Sequence, residues 1–131
     1  MSGETDLATL IASMRPHRDP VTYVWASVET IPSGIVPLAT MREAEGLTVV
    51  CSRDDADAAG LGHTFPCARI TLTVHSSLEA VGLTAAFAAA LSEAGISANV
   101  VAGYHHDHIF VPVERAADAM AALEQLAASA M

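Results

Sequence analysis

Four consecutive side chains, His105, His106, Asp107 and His108, bring the densest cluster of chemistry in the chain. Histidine and aspartate are ordinary zinc ligands, and residues two apart on a strand, such as His106 and His108, share a face. The same run also reads as a polar turn whose charge responds to pH near neutrality. A structural zinc site needs four ligands, yet His17, His63 and His75 are scattered, and neither HExxH nor a paired Cys/His spacing occurs. No metal or other cofactor is therefore expected. A metal-binding module or metal-dependent enzyme built on His105 to His108 stands as the alternative.

A second concentration lies at His75 to Leu83, where a strand pattern gives way to a helix pattern. Such a junction presents unpaired backbone N–H groups and the positive end of the helix dipole, both suited to a carboxylate. Ser76-x-x-Glu79 is also a capping box, which would start the helix at Ser77 and leave Gly82 inside it at a cost of roughly 1 kcal/mol relative to Ala. The other reading starts the continuous helix near Gly82, whose missing side chain lets a ligand approach the backbone. Asn99, in an otherwise apolar strand, either contacts a ligand or satisfies a strand edge.

Other catalytic templates fail. All six basic residues are Arg (15, 18, 42, 53, 69 and 115) and none is Lys, which removes Schiff-base chemistry and the phosphate-binding lysines of P-loops and kinases. Gly60-Leu61-Gly62 lacks the third glycine of a dinucleotide fingerprint and precedes a strand. No Gly-x-Ser-x-Gly elbow is present. Arg42 and Arg69 read as exposed strand ends rather than anion clamps, with pairing to a ligand carboxylate as the alternative for either.

The elements that must position these groups fit one small domain. Of 131 residues, 52% are hydrophobic and 16% charged, enough for a real core. The formal charge of −9 repels nucleic acid and anionic membrane surfaces. The N-terminus is acidic where a signal peptide is basic, and no apolar run approaches the ~18–20 residues that cross a bilayer, so a cytoplasmic protein is expected. Ala is roughly one residue in five while aromatics are 5%, so the elements must be thin and closely packed. Cys51 and Cys67, in apolar surroundings without CxxC spacing, read as buried reduced thiols.

Leu7, Leu10, Ile11 and Met14 make a helical stripe that stops before Pro16. An extended run spans Val21 to Val28, and Glu45-Gly46 turns a hairpin into Leu47 to Cys51. Residues Arg53 to Ala59 suggest a short helix ended by Gly60. Ala68, Ile70, Leu72 and Val74 then alternate with polar residues, the period of a strand with one covered face. A helix is expected over Leu83 to Ala94, strands over Ile96 to Gly103 and Asp107 to Val113, and a closing helix over Ala116 to Ala127. The second half is thus β-α-β-β-α, a ferredoxin-like βαββαβ unit without its last strand. Each half looks incomplete where the other can complete it. The expected fold is α+β: two intertwined ferredoxin-like subdomains, 1–65 and 66–131, with antiparallel sheets and helices on one face.

The runs Val81-Gly82-Leu83-Thr84-Ala85-Ala86-Phe87, Ala94-Gly95-Ile96-Ser97 and Asp107-His108-Ile109-Phe110-Val111-Pro112 resemble the ACT domain, most closely the regulatory modules of aspartokinases and small free-standing tandem-ACT proteins. Glu45-Gly46-Leu47-Thr48-Val49-Val50 is a weaker echo in the first half. The resemblance implies side-by-side dimers that join their sheets, and an amino-acid site where the loop after the first strand meets a neighbouring unit. It carries over as backbone contacts from Val81, Gly82 and Leu83, and Asp107 matches an acidic position of related sensors. With Ser76 at the junction and Asn99, Val100 and Val101 flanking, these residues form the expected ligand site. The expected protein is a non-enzymatic, homodimeric, cytoplasmic module that binds an amino acid or related metabolite and signals through association to a separate effector that the sequence does not name. Purely structural dimerisation is the remaining alternative.

Overall fold

Asp6 opens the first helix, its carboxylate accepting the Thr9 amide proton at 3.0 Å, and the computed structural model describes residues 6–74 and 82–130. Along the chain run α1 (Leu7–Ser13), β1 (Pro16–Val28), β2 (Ala39–Glu43), β3 (Gly46–Ser52), α2 (Arg53–Ala58), β4 (Thr64–Leu72), α3 (Leu83–Glu93), β5 (Asn99–Ala102), β6 (Asp107–Pro112), a 3₁₀ turn (Val113–Arg115) and α4 (Ala116–Ser129). The strands form one antiparallel six-stranded sheet in the order β2-β3-β1-β4-β6-β5.

This order contains two overlapping ferredoxin-like sets. β2-β3-β1-β4 serves the first half and β1-β4-β6-β5 the second. β1 supplies the strand that the second half lacks, and β4 closes the first. The intertwining expected from the two incomplete halves is therefore a sharing of two long central strands.

Helices cover one face. Directly opposed residues share a face of a ladder, so Ala68, Ile70 and Leu72 of β4 lie on the same side as Val111 and Ile109 of β6. They are buried under Leu10 and Met14, Phe87 and Leu91, and Leu123. Thr22 opposes Ala68, and Val24, two residues on, packs with Val49, Cys51 and Ala56 of α2, so α2 covers the same face further along. Small residues on α4, among them Ala116, Ala119 and Ala127, let it lie close to the core. Arg115 donates to the carbonyls of Ala94 and Gly95 at 3.1 and 3.4 Å, placing the start of α4 beside the end of α3, as an antiparallel pair requires.

Three boundaries differ from the sequence expectation by more than two residues. β1 begins at Pro16 rather than Val21, because its register slips between Arg18 and Thr22, where Asp19 accepts the Val21 amide at 2.9 Å and Pro20 sits in the irregularity. β4 begins at Thr64, four residues before the alternation becomes regular, and Phe65 there has a φ of +58°. β5 begins only at Asn99, since α3 ends in a Schellman-type cap: Gly95 has a φ of +73° and the Ile96 amide donates to the Leu91 carbonyl at 2.9 Å. Cys51 and Cys67 are free and buried, on opposite faces of the sheet.

Phe87, fully buried, should be indispensable: Phe87→Ala is expected to lower stability by about 3–5 kcal/mol in denaturant unfolding. Val36→Ala, at a side chain 81% exposed, should change it by less than about 0.5 kcal/mol.

Candidate functional site

The continuous helix α3 starts at Leu83, with Gly82 as its N-cap residue and no side-chain cap hydrogen bond. Of the two sequence readings, the described residues follow the one that begins the helix at Gly82. Ser76, Glu79 and Val81, and with them the capping box, lie outside the described residues. Gly82 has a φ of +96°, a conformation that favours glycine, and a Cβ there would stand 3.0 Å from Cδ2 of Leu7. The space saved by its missing side chain is thus taken by α1. Leu83 is buried in the core, so its side chain is structural and its amide is what the helix end offers.

Asp107 opens β6, opposite Leu72 of β4 and Ala102 of β5. It therefore stands on the helix-covered face, at the end of the sheet where β4 leads toward α3. Burial pushes its carboxyl above the usual carboxylate range, and the charge of His106 opposes this in part. An ammonium group beside it would relieve that penalty.

The three flanking residues do not share one surface. Val100 packs toward the helices, Val101 joins the apolar cluster on the opposite face, and Asn99 is exposed. Asn99 opposes Phe110, three residues from the Ala102–Asp107 pair, or about 10 Å along the strand. One amino acid cannot span Asp107 and Asn99 within a protomer by its two charged groups alone. The histidines also diverge. Nδ1 of His108 lies 2.9 Å from the Thr71 hydroxyl, while Nδ1 of His106 is buried without a partner. Among the described residues no three His, Cys, Asp or Glu side chains converge as metal ligands. Burial, then Arg69 and His106, hold His108 below the usual histidine range.

The helix-free face carries groups that sequence reasoning did not assign. Asp19 accepts from the Tyr23 hydroxyl at 2.5 Å and from Nη2 of Arg69 at 2.8 Å, and Arg69 lies over the Tyr23 ring with Cζ 5.7 Å from its centroid. Arg69 is thus a mid-strand, partly buried ion-pair partner and not an exposed strand end. Burial works against the charge of Asp19, but the hydrogen bonds from Tyr23, Val21 and Arg69 outweigh it and hold the carboxyl below its usual range. Burial and the Asp19 carboxylate push Tyr23 up to about 12. Beside this group, Phe110 meets Trp25 and Tyr23 edge-on, with ring centroids 5.7 and 6.3 Å apart. The available signal was the spacing of Tyr23 and Trp25, two apart on a strand in a chain with few aromatics.

Models of the ACT domain match residues 2–68 and residues 65–125. No curated protein matches the chain. Among solved structures, a Vibrio cholerae protein of unknown function, described as a possible transport protein, is 51% identical with a TM-score of 0.84, over 92% of this chain and 95% of that one. An Agrobacterium tumefaciens protein is 18% identical with a TM-score of 0.73, over 87% and 89% of the two chains. The ligand-free regulatory subunit of aspartate kinase from Thermus thermophilus is 13% identical with a TM-score of 0.67, over 87% and 96%, a likeness of fold. With both halves matched and the shared-strand sheet in place, the chain belongs to the ACT domain family.

Proposed function

We propose that this chain is a non-enzymatic regulatory module that binds a free amino acid at the start of α3, and that it works as a cytoplasmic homodimer passing occupancy to a separate effector. ACT domains are small-molecule-binding regulatory units, and the aspartate kinase regulatory subunit shares this fold. Among the described residues no helix is long and apolar enough to cross a membrane, and the net charge of −9 disfavours nucleic acid. The functional halves divide between residues 65 and 66, inside the shared strand β4.

The observation that supports the reading is that α3 starts at Gly82 after β4, whose last residue, Leu72, opposes the half-buried Asp107. The ligand's carboxylate meets the amides of Val81 to Leu83 and its ammonium meets Asp107. Ser76 is assigned to the same ligand from the sequence junction. Val100, on the face of Asp107, supplies apolar contact, Val101 offers only its backbone, and Asn99, on the other face and too far along its strand to join Asp107, serves the site of the neighbouring protomer. β5 is an open sheet edge, and covering it with a second copy removes that hazard.

Calorimetric titration of the twenty amino acids should find one that binds, with a matching rise in thermal stability. Gly82→Val should abolish binding, but with a φ of +96° and Leu7 against it this variant also strains the fold. Asp107→Asn is the cleaner variant and should weaken binding at least about tenfold, the equivalent of one lost charge-assisted contact. No heat from any amino acid at millimolar concentration, or binding unchanged in Asp107→Asn, would contradict the placement. Light scattering should give a dimer at micromolar concentration, and a monomer would remove the association model.

The raised Asp107 pKa gives a second check, free of ligand. A carboxyl whose folded pKa lies above its unfolded value costs stability as pH rises through the folded pKa, and nothing below the unfolded one. Asp107→Asn should therefore melt at higher temperature than the wild type at pH 7, with the advantage shrinking as pH falls through the folded pKa and lost below about 4. An advantage independent of pH would show that the carboxyl is not strained by burial.

A further inference from the structure

β2 and β5 are the two outer strands of the sheet, with four strands between them, yet both line one cavity of about 350 Å³. Ala39, Met41 and Glu43 come from β2 and Val101 from β5, with Trp25, Thr48 and Val50 between them. The register puts all seven on the helix-free face: Ala39 opposes Val50, Met41 opposes Thr48, Trp25 opposes Val50, and Val101 opposes His108, two residues from Phe110. The sheet therefore curls until its two edges face each other across this space, and no ladder joins them. That curl explains how Val50, Cys67 and Phe110 become buried on a face without a helix.

The volume falls within the range of ligand pockets, about 300–1,000 Å³. The chemistry of the lining is one-sided. Among the described residues that form it, Glu43 is the only ionisable group, and its carboxylate accepts a hydrogen bond from the Thr48 hydroxyl. Arg69, the cation of the same face, is engaged by Asp19. An anion entering the cavity meets a carboxylate and no counter-charge, whereas a cation meets that carboxylate and the indole of Trp25.

We propose that this cavity binds a small molecule with a flat apolar body and one ammonium group, the body between Trp25 and Val101 and the ammonium at Glu43. The site is separate from the one at α3 and independent of that reading. It uses the space between the sheet edges, and a bound molecule would tie β2 to β5.

Trp25 is the single tryptophan of the chain, so its emission reports occupancy of the cavity directly. Phenethylamine and phenylacetate, alike in their apolar bodies and opposite in charge, are suitable probes when excitation is confined to the indole. Phenethylamine should change Trp25 emission saturably in the millimolar range or below, with phenylacetate at least about tenfold weaker. Glu43→Gln, at an exposed strand position, should remove most of that difference. Val101→Phe should fill the cavity and lose phenethylamine binding. Absence of a saturable change, equal binding of the two probes, or a preference that persists in Glu43→Gln would overturn the proposal. A protein that binds phenethylamine but no amino acid upholds this site and removes the one at α3.

Discussion

The antiparallel ladder between β1 and β4 is the constraint on which the rest of the molecule depends. Each half of the chain has three strands of its own in the sheet order, and a ferredoxin-like unit needs four. β1 is long enough, at 13 residues, to oppose Leu72 to Ile70 with its first turn of sequence and Ser52 to Leu47 with its last. It pays for this length with an irregularity at Asp19 and Pro20. That same irregularity points the Asp19 carboxylate at Tyr23 and Arg69, so the ion pair across the β1–β4 ladder is a consequence of the strand sharing.

The two faces of the sheet solve the burial problem differently. On one, Ala-rich helices lie close and bury branched aliphatic side chains such as Ile70, Leu72 and Ile109. On the other no helix lies among the described residues, and the sheet covers its own apolar residues by curling. Aromatic rings fill that concavity because they reach across it: Trp25 and Tyr23 from β1 both contact Phe110 from β6, on the far side of β4. A curled sheet with unjoined edges leaves space between them, whereas the helical face is packed. The geometry that completes the fold also creates the cavity.

Most of the architecture was legible in the chain because the relevant signals are local. The α1 stripe stops at Pro16, Gly60 and Gly95 take the left-handed conformation after α2 and α3, and Ala68 to Leu72 alternate in register with the covered face. The position of Asp107 at a strand start followed from the same patterns, whereas the start of α3 stood open between Ser77 and Gly82 until the left-handed backbone of Gly82 decided it. Curling was not legible, since nothing in the spacing of Met41 and Val101, 60 residues apart, tells that they line one space. Arg69 was misjudged for a related reason: its partner Asp19 is 50 residues away and sits in a strand segment that its two prolines concealed. Asn99 was expected to flank the ligand that Asp107 holds, and the register that sets the two three residues apart is not legible from spacing alone.

If β1 and β4 belong to both units, neither unit can open alone, and hydrogen exchange of the native protein tests this most directly. The account predicts that the slowest amides of β3, β1, β4 and β6 exchange with one common free energy, equal to that of global unfolding in denaturant. Exchange of the β2–β3 region through a separate, lower-energy opening that leaves the β4–β6 amides protected would contradict it.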